Sequence, residues 1–143
     1  MPDTVYMLDT NVCIYIRRER PPEVLRRFKS LSPGSTGLSI ITYGELCFGA
    51  RKSLDPERAS SVLGELVALI PVLPLNNAAG EAYGTIRYDL SRRGEMIGNN
   101  DLWIAAHALS LDVTLVTNNE REFKRVRGLK IENWILAPSA AGP

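Results

Sequence analysis

The sequence carries four short apolar runs, Val5 to Leu8, Leu38 to Ile41, Val72 to Leu75 and Val113 to Val116, set between segments of helical period. Runs this brief and this uniformly apolar suit strands buried on both faces, the habit of parallel sheets. Parallel neighbours need a crossover, and the intervening segments supply one. Val24, Leu25, Phe28 and Leu31 recur at helical spacing within Glu23 to Leu31. So do Ala59, Val62, Leu63, Leu66, Val67 and Ile70, and then Ala79, Ala82, Tyr83, Ile86 and Leu90. Further helices are expected after Leu8, after Ile41 through about Lys52, over Asp101 to Leu111 and over Glu120 to Arg125. Asp55-Pro56 reads as an N-cap with proline at the first helical position, and Arg92-Arg93-Gly94 as a helix end. Pro71 and Pro74 confine Val72 to Leu75 to a sheet edge, and the alternation of Leu129 to Glu132 predicts another edge strand. The pattern predicts an α/β fold with a mostly parallel sheet.

Length and composition bound the rest. The chain has 143 residues, 45% apolar and 23% charged, which suits one globular domain and disfavours fibrous, disordered and membrane classes. We expect a single domain over residues 1–136 and a flexible tail over residues 137–143. The most apolar stretch, Val62 to Leu75, is broken by Glu65, Pro71 and Pro74, so no membrane association is expected. The start, Met1-Pro2-Asp3-Thr4, has no signal-peptide pattern, and Cys13 and Cys47 read as reduced core thiols. A cytoplasmic location follows as an expectation. The 17 basic and 16 acidic residues nearly cancel to +1, which by itself gives no nucleic-acid signature.

Polar residues gather where strands meet helices. Asp9-Thr10-Asn11 follows the first run, Thr42-Tyr43-Gly44-Glu45 the second and Thr117-Asn118-Asn119-Glu120-Arg121-Glu122 the fourth, while Gly98-Asn99-Asn100-Asp101 opens a helix. Taken singly, each reads as a cap: Asp9 or Asn11 as an N-cap, Thr42-x-x-Glu45 and Asn119-x-x-Glu122 as capping boxes, Asp101 as a first-turn carboxylate. Taken together, they differ. Parallel connectivity carries them to one edge of the sheet, where ligands collect in open α/β folds. Two ionised carboxylates ~4 Å apart repel by about 4 kcal/mol at an effective dielectric near 20. A bound cation offsets that repulsion, and an all-oxygen donor set without His or Cys suits Mg²⁺, with Mn²⁺ as a substitute. Such an ion can activate water and brace the leaving oxygen of a phosphodiester. There is no glycine-rich phosphate loop, and His107, mid-helix among apolar residues, reads as a packed group.

Leu8-Asp9-Thr10-Asn11, Ile41 to Leu46, Ile97 to Ala108 and Leu115 to Phe123, in that order and spacing, resemble the PIN-domain ribonucleases, specifically the VapC toxins of toxin–antitoxin modules. The resemblance covers about residues 5 to 135. It implies a PIN-like three-layer α/β/α fold with a parallel sheet of four or five strands in the order 3-2-1-4-5. It also implies a Mg²⁺- or Mn²⁺-dependent endoribonuclease that arrests translation by cutting structured RNA such as tRNA or rRNA. Asp9 and Asp101 then match the principal metal ligands and catalytic residues, with Glu45 as the third acid. Asn11 and Thr117 match supporting polar groups. Many relatives carry a fourth acid where Asn119 stands, and Glu122, one helical turn on, is the candidate to replace it. The neutral Asn119 implies one tightly held metal and a second recruited with RNA. The implied partners are a homodimeric copy, a cognate VapB-type antitoxin and, only through that antitoxin, operon DNA. Its groove would draw apolar walls from Glu23 to Leu31 and Ala59 to Ile70.

Two other function classes make different demands. A PIN-like module that grips RNA or a partner without cutting would be indifferent to loss of Asp101. A phosphatase or phosphorelay domain needs an aspartate nucleophile with a second Asp close by or a Lys after a later strand, and neither stands at these junctions. Near-neutral charge also conceals two basic stretches. Arg17, Arg18, Arg20, Arg26, Arg27 and Lys29 form one, and Arg121, Lys124, Arg125, Arg127 and Lys130 the other. If they flank the acids, RNA meets a basic rim around a metal-filled centre.

Overall fold

A computed structural model describes residues 4–135; the expected tail over residues 137–143 lies outside them. Five parallel strands form one sheet in the order β3-β2-β1-β4-β5. They are β1 (Tyr6–Leu8), β2 (Thr36–Ser39), β3 (Val72–Leu73), β4 (Thr114–Val116) and β5 (Ile131–Glu132). Both edges are the short strands expected there. Helices α1 (Thr10–Arg18), α2 (Pro22–Lys29), α3 (Ile40–Arg51) and α4 (Pro56–Leu69) precede β3, and α5 (Asn77–Arg93), α6 (Asn99–Leu111) and α7 (Glu120–Phe123) follow it.

The strands separate two cores, because successive side chains alternate across a sheet. Met7 and Leu115 pack with Ile86 and Leu90 of α5, Leu102 and Ala106 of α6, and Phe123 of α7. Leu8, Leu38 and Val116 pack on the other face with Val12 of α1, Val24 of α2, Leu46 of α3 and Leu63 of α4. Three layers result. Among the described residues no helix is long and apolar enough to cross a membrane. Cys13 is buried and Cys47 half-buried, both as free thiols.

Local chemistry sets the element ends. Asp55 caps α4 by accepting from the Arg58 amide at 3.2 Å, and Gly94, at φ 66°, closes α5 in the left-handed conformation that favours glycine. Gly37 pairs with Met7, and a Cβ there would stand 2.9 Å from Leu73 Cδ1, so the Leu73 side chain packs over the glycine in space that a larger residue would contest. One boundary differs from expectation in a way that matters. The second strand ends at Ser39, whose hydroxyl accepts from the Ile41 amide at 3.1 Å and caps α3. Thr42 is therefore inside the helix, and the Thr42-x-x-Glu45 capping box does not form.

His107 is fully buried on α6. Its Nε2 lies 3.0 Å from the Pro74 carbonyl and its Nδ1 2.8 Å from Ser39 Oγ. A carbonyl only accepts, so Nε2 carries the proton and Nδ1 accepts from the serine. The histidine thus ties α6 to the cap of α3 and to the segment after β3. It is the packed group its setting predicts.

Candidate active site

The order of the sheet reverses at β1, between β2 and β4, and that switch point is where side chains of distant junctions meet. Leu8 pairs with Val116, and the Asp9 amide donates to the Val116 carbonyl at 3.0 Å, so Asp9 and Thr117 leave the sheet side by side. Asp9 is both cap and site residue. Its carboxylate accepts from the Val12 amide at 2.9 Å and closes the N-terminus of α1. It also takes hydrogen bonds from the Thr117 hydroxyl and the Asn11 amide. The Asn119 amide donates to Thr117 Oγ1 at 2.9 Å, which orients that hydroxyl. Burial raises the Asp9 pKa above the ordinary carboxylate value, the Thr117 and backbone hydrogen bonds oppose the rise, and the charge of Glu45 adds to it.

Glu45 enters from the second turn of α3. One carboxylate oxygen accepts from Thr10 Oγ1 at 2.6 Å and the other from Asn100 Nδ2 at 3.4 Å. Free of the capping box, it leans across the junctions instead of back along its own helix. Asp101, in the first turn of α6, is half-buried. Its pKa is pushed up to about 7 by burial, by a hydrogen bond with Glu122, and by the charges of Glu122, Glu45 and Asp9. Glu122 in turn accepts from Asn119 Nδ2 at 3.0 Å. The expected capping role of Asn119 is absent: its side chain makes no cap bond and holds Glu122 instead.

The fold therefore gathers Asp9, Glu45, Asp101 and Glu122, with Thr117 and Asn119 as hydrogen-bonding supports. Asn11 contributes its amide to Asp9, and its side chain is exposed. Sequence reasoning does not single out Thr10, Asn100 and Asn118 as site residues. Their only signal is a place beside an acid or a threonine in the same junction. Among the described residues no group of three Asp, Glu, His or Cys side chains is placed to hold a metal ion as it stands. What the junctions offer is an all-oxygen donor set, the ligand type that suits a hard divalent ion such as Mg²⁺ or Mn²⁺.

A groove of about 510 Å³ begins at Glu45, lined by Thr10, Arg17, Arg18, Ala59 and Val62 among others. Its apolar lining comes from Ile14 of α1, Leu46 and Ala50 of α3 and Ala59 and Val62 of α4, and α2 takes no part. The reason is topological: Phe28 and Lys29 of α2 line a different hollow, with Leu31, Thr36 and Pro71. The basic stretches divide likewise. Arg17 and Arg18 share the groove with Glu45, whereas Arg27 pairs with Glu132 at 3.3 Å. In the second stretch, Arg127 and Lys130 pair with Asp89 and Asp112, and Arg125 donates to the Met96 carbonyl at 3.1 Å.

Known proteins match this arrangement. The PIN domain model matches residues 6–129. Ribonuclease VapC2 of Haemophilus influenzae is 44% identical over 130 residues, covering 91% of this chain and 98% of that protein. The tRNA(fMet)-specific endonuclease VapC of Shigella flexneri is 44% identical over 129 residues, 90% and 97% of the two chains. A crystal structure of DNA-bound VapBC from Salmonella typhimurium contains a chain that superposes with a TM-score of 0.87. Its identity is 39%, and the match covers 92% of this chain and 99% of that one.

Proposed function

Because this chain belongs to the VapC ribonucleases of the PIN-domain family, we propose that it is a metal-dependent endoribonuclease, the toxin of a toxin–antitoxin pair, that cuts structured RNA to arrest translation. The observation that carries the reading is the convergence of Asp9, Glu45, Asp101 and Glu122 at the switch point of the sheet. Asp9, Asp101 and Glu45 are the residues that would hold Mg²⁺ or Mn²⁺, and Glu122, steadied by Asn119, takes the fourth acidic position. Bound there, the ion supplies an activated water and neutralises charge at the scissile phosphate. Thr117 holds the Asp9 carboxylate in position, and Thr10 and Asn100 hold that of Glu45. Arg17 and Arg18 draw the RNA backbone toward the acids.

Two of the relatives named above suggest the finer identities. One is named for tRNA(fMet), so initiator tRNA is the first RNA to try. The VapBC complex suggests a VapB-type antitoxin, whose peptide the groove beside Arg17 and Val62 suits, with DNA bound through that antitoxin. The exposed Ile40 and Phe48 of α3 suit a homodimer contact, and the setting is the cytoplasm. The purified chain is expected to cut initiator tRNA in Mg²⁺ and to stop when chelator is added, with RNA-end sequencing locating the cut. Persistent cleavage in excess chelator would overturn the metal requirement.

Replacing Thr10 by Val removes the 2.6 Å donor to Glu45 and is expected to lower kcat by ~10-fold, with serine restoring it. A hydrogen bond to a charged group contributes about 1.5–3 kcal/mol. The cation requirement also has a stability signature. A carboxyl whose folded pKa is raised from 3.8 to about 7 stabilises the fold while protonated, and that contribution is lost as pH rises through about 7. A divalent cation relieves the resulting repulsion. Mg²⁺ or Mn²⁺ is therefore expected to raise the melting temperature more at pH 8 than at pH 6, as scanning calorimetry measures. An equal or smaller shift at pH 8 would contradict the assignment.

A further inference from the structure

Beyond the acidic centre lies a second concavity, of about 700 Å³, lined by Tyr15, Arg18, Arg20, Pro21 and Pro22. We propose that it is a nucleotide subsite, seating a base and phosphate of the RNA beside the position that is cut. The inference rests on the ribonuclease reading and adds to it where the strand runs. Two links join the hollow to the acids. Arg18 lines both this hollow and the groove that contains Thr10 and Glu45. Tyr15 Oη accepts from Asn118 Nδ2 at 2.9 Å, and Asn118 follows Thr117, the residue bonded to Asp9.

The lining has the chemistry of a nucleotide. Tyr15, half-buried, and the rings of Pro21 and Pro22 offer flat, largely apolar surface against which a base can stack. The Tyr15 hydroxyl accepts from Asn118 and has no acceptor for its own proton among the described residues, so it can donate to a base edge. Arg18 and Arg20 are exposed and form no ion pair with any described residue, and no acid lines the hollow. Two unpaired guanidinium forks beside an aromatic ring suit a phosphate and its base. An acidic peptide would use the arginines but leave the ring without a role.

The test uses the full chain carrying Asp101→Asn and fluorescein-labelled initiator tRNA, titrated across a range of salt. Adding Arg18→Ala with Arg20→Ala is expected to weaken binding by ~10-fold and to make the salt slope shallower by about 1. In the cleaving chain the same pair is expected to raise KM with kcat retained. Tyr15→Phe keeps the ring and most of the affinity, while Tyr15→Ala loses ~10-fold. Tyr15 packs against the core, so melting curves accompany its variants; the exposed arginine pair is the variant that cannot fail by unfolding. Unchanged affinity and slope in the arginine pair would overturn the subsite. So would displacement of the tRNA by poly-L-glutamate, lost on removing the arginines and indifferent to Tyr15→Ala, which would mark a site for acidic peptide. A parent chain that neither binds nor cuts RNA would overturn the ribonuclease reading itself, and the subsite with it.

Discussion

Asp101→Asn is expected to fold, to retain RNA binding and to cut RNA ~1,000-fold more slowly than the parent chain. Asparagine keeps the shape of the side chain but removes its charge, at a carboxyl whose pKa burial and three neighbouring acids push up to about 7. Burial acts most on Asp101, and Glu122, Glu45 and Asp9 add to its effect. A group so placed contributes to holding a cation far more than to holding the fold, and losing one electrostatic contributor to a phosphoryl transition state costs about 10²–10³ in rate. The opposite sign is expected for stability. Because the raised pKa means that ionised Asp101 destabilises the metal-free fold, the variant should melt higher than the parent at pH 8 in chelator. End-labelled RNA cleavage and calorimetry measure the two effects. A variant that cuts at the parental rate would make Asp101 a helix-dipole carboxylate and nothing more. That outcome would revive the binding-module reading.

Both effects depend on the meeting of residues far apart in the chain, and the sequence carries only part of that geometry. The strands are legible because Met7-Leu8, Leu38 and Leu115-Val116 must be apolar on both faces of a sheet covered by helices on each side. The edge strands are legible from Pro71, Pro74 and the alternation before Glu132. Connectivity then requires the junctions to share an edge, which is why Asp9, Glu45, Asp101 and Glu122 can be grouped without coordinates. What a single sequence does not carry is which of two local hydrogen bonds a polar side chain makes. Thr42-x-x-Glu45 satisfies the capping pattern as well as any true cap, yet Ser39 takes that role, and Glu45 is left to Thr10 and Asn100. Likewise Asn119 could have capped α7 but supports Glu122. Charge runs are equally ambiguous, because the sequence does not say which face a helix turns outward. Arg17 and Arg18 line the groove that begins at Glu45, and Arg27 is spent on an ion pair at the far edge.

His107→Leu is expected to destabilise the fold more than any other of these substitutions, by about 3 kcal/mol and roughly 10 °C in melting temperature. The imidazole is fully buried and serves the Pro74 carbonyl as a donor and the Ser39 hydroxyl proton as an acceptor. Leucine fills much of the space but leaves the carbonyl without its donor and the hydroxyl proton without its acceptor, and each such loss costs about 1–3 kcal/mol. The loss should reach the site as well, because Ser39 caps the helix that carries Glu45. The pH dependence separates this role from simple packing. Burial lowers the His107 pKa below 6.5, so the folded protein keeps the ring neutral while the unfolded chain takes up a proton. Its contribution is full above pH 6.5 and is lost as pH falls below it, with a slope of at most ~1.4 kcal/mol per pH unit. Asp101 acts with the opposite sign over an overlapping range, so the His107 contribution is read from the difference between the parent and His107→Leu. That difference should shrink from pH 7 to pH 5.5 as the parent loses stability and the variant does not. A constant difference across the range would mean that the folded protein binds the proton as readily as the unfolded chain. His107 would then be a packed side chain whose hydrogen bonds do not set its protonation.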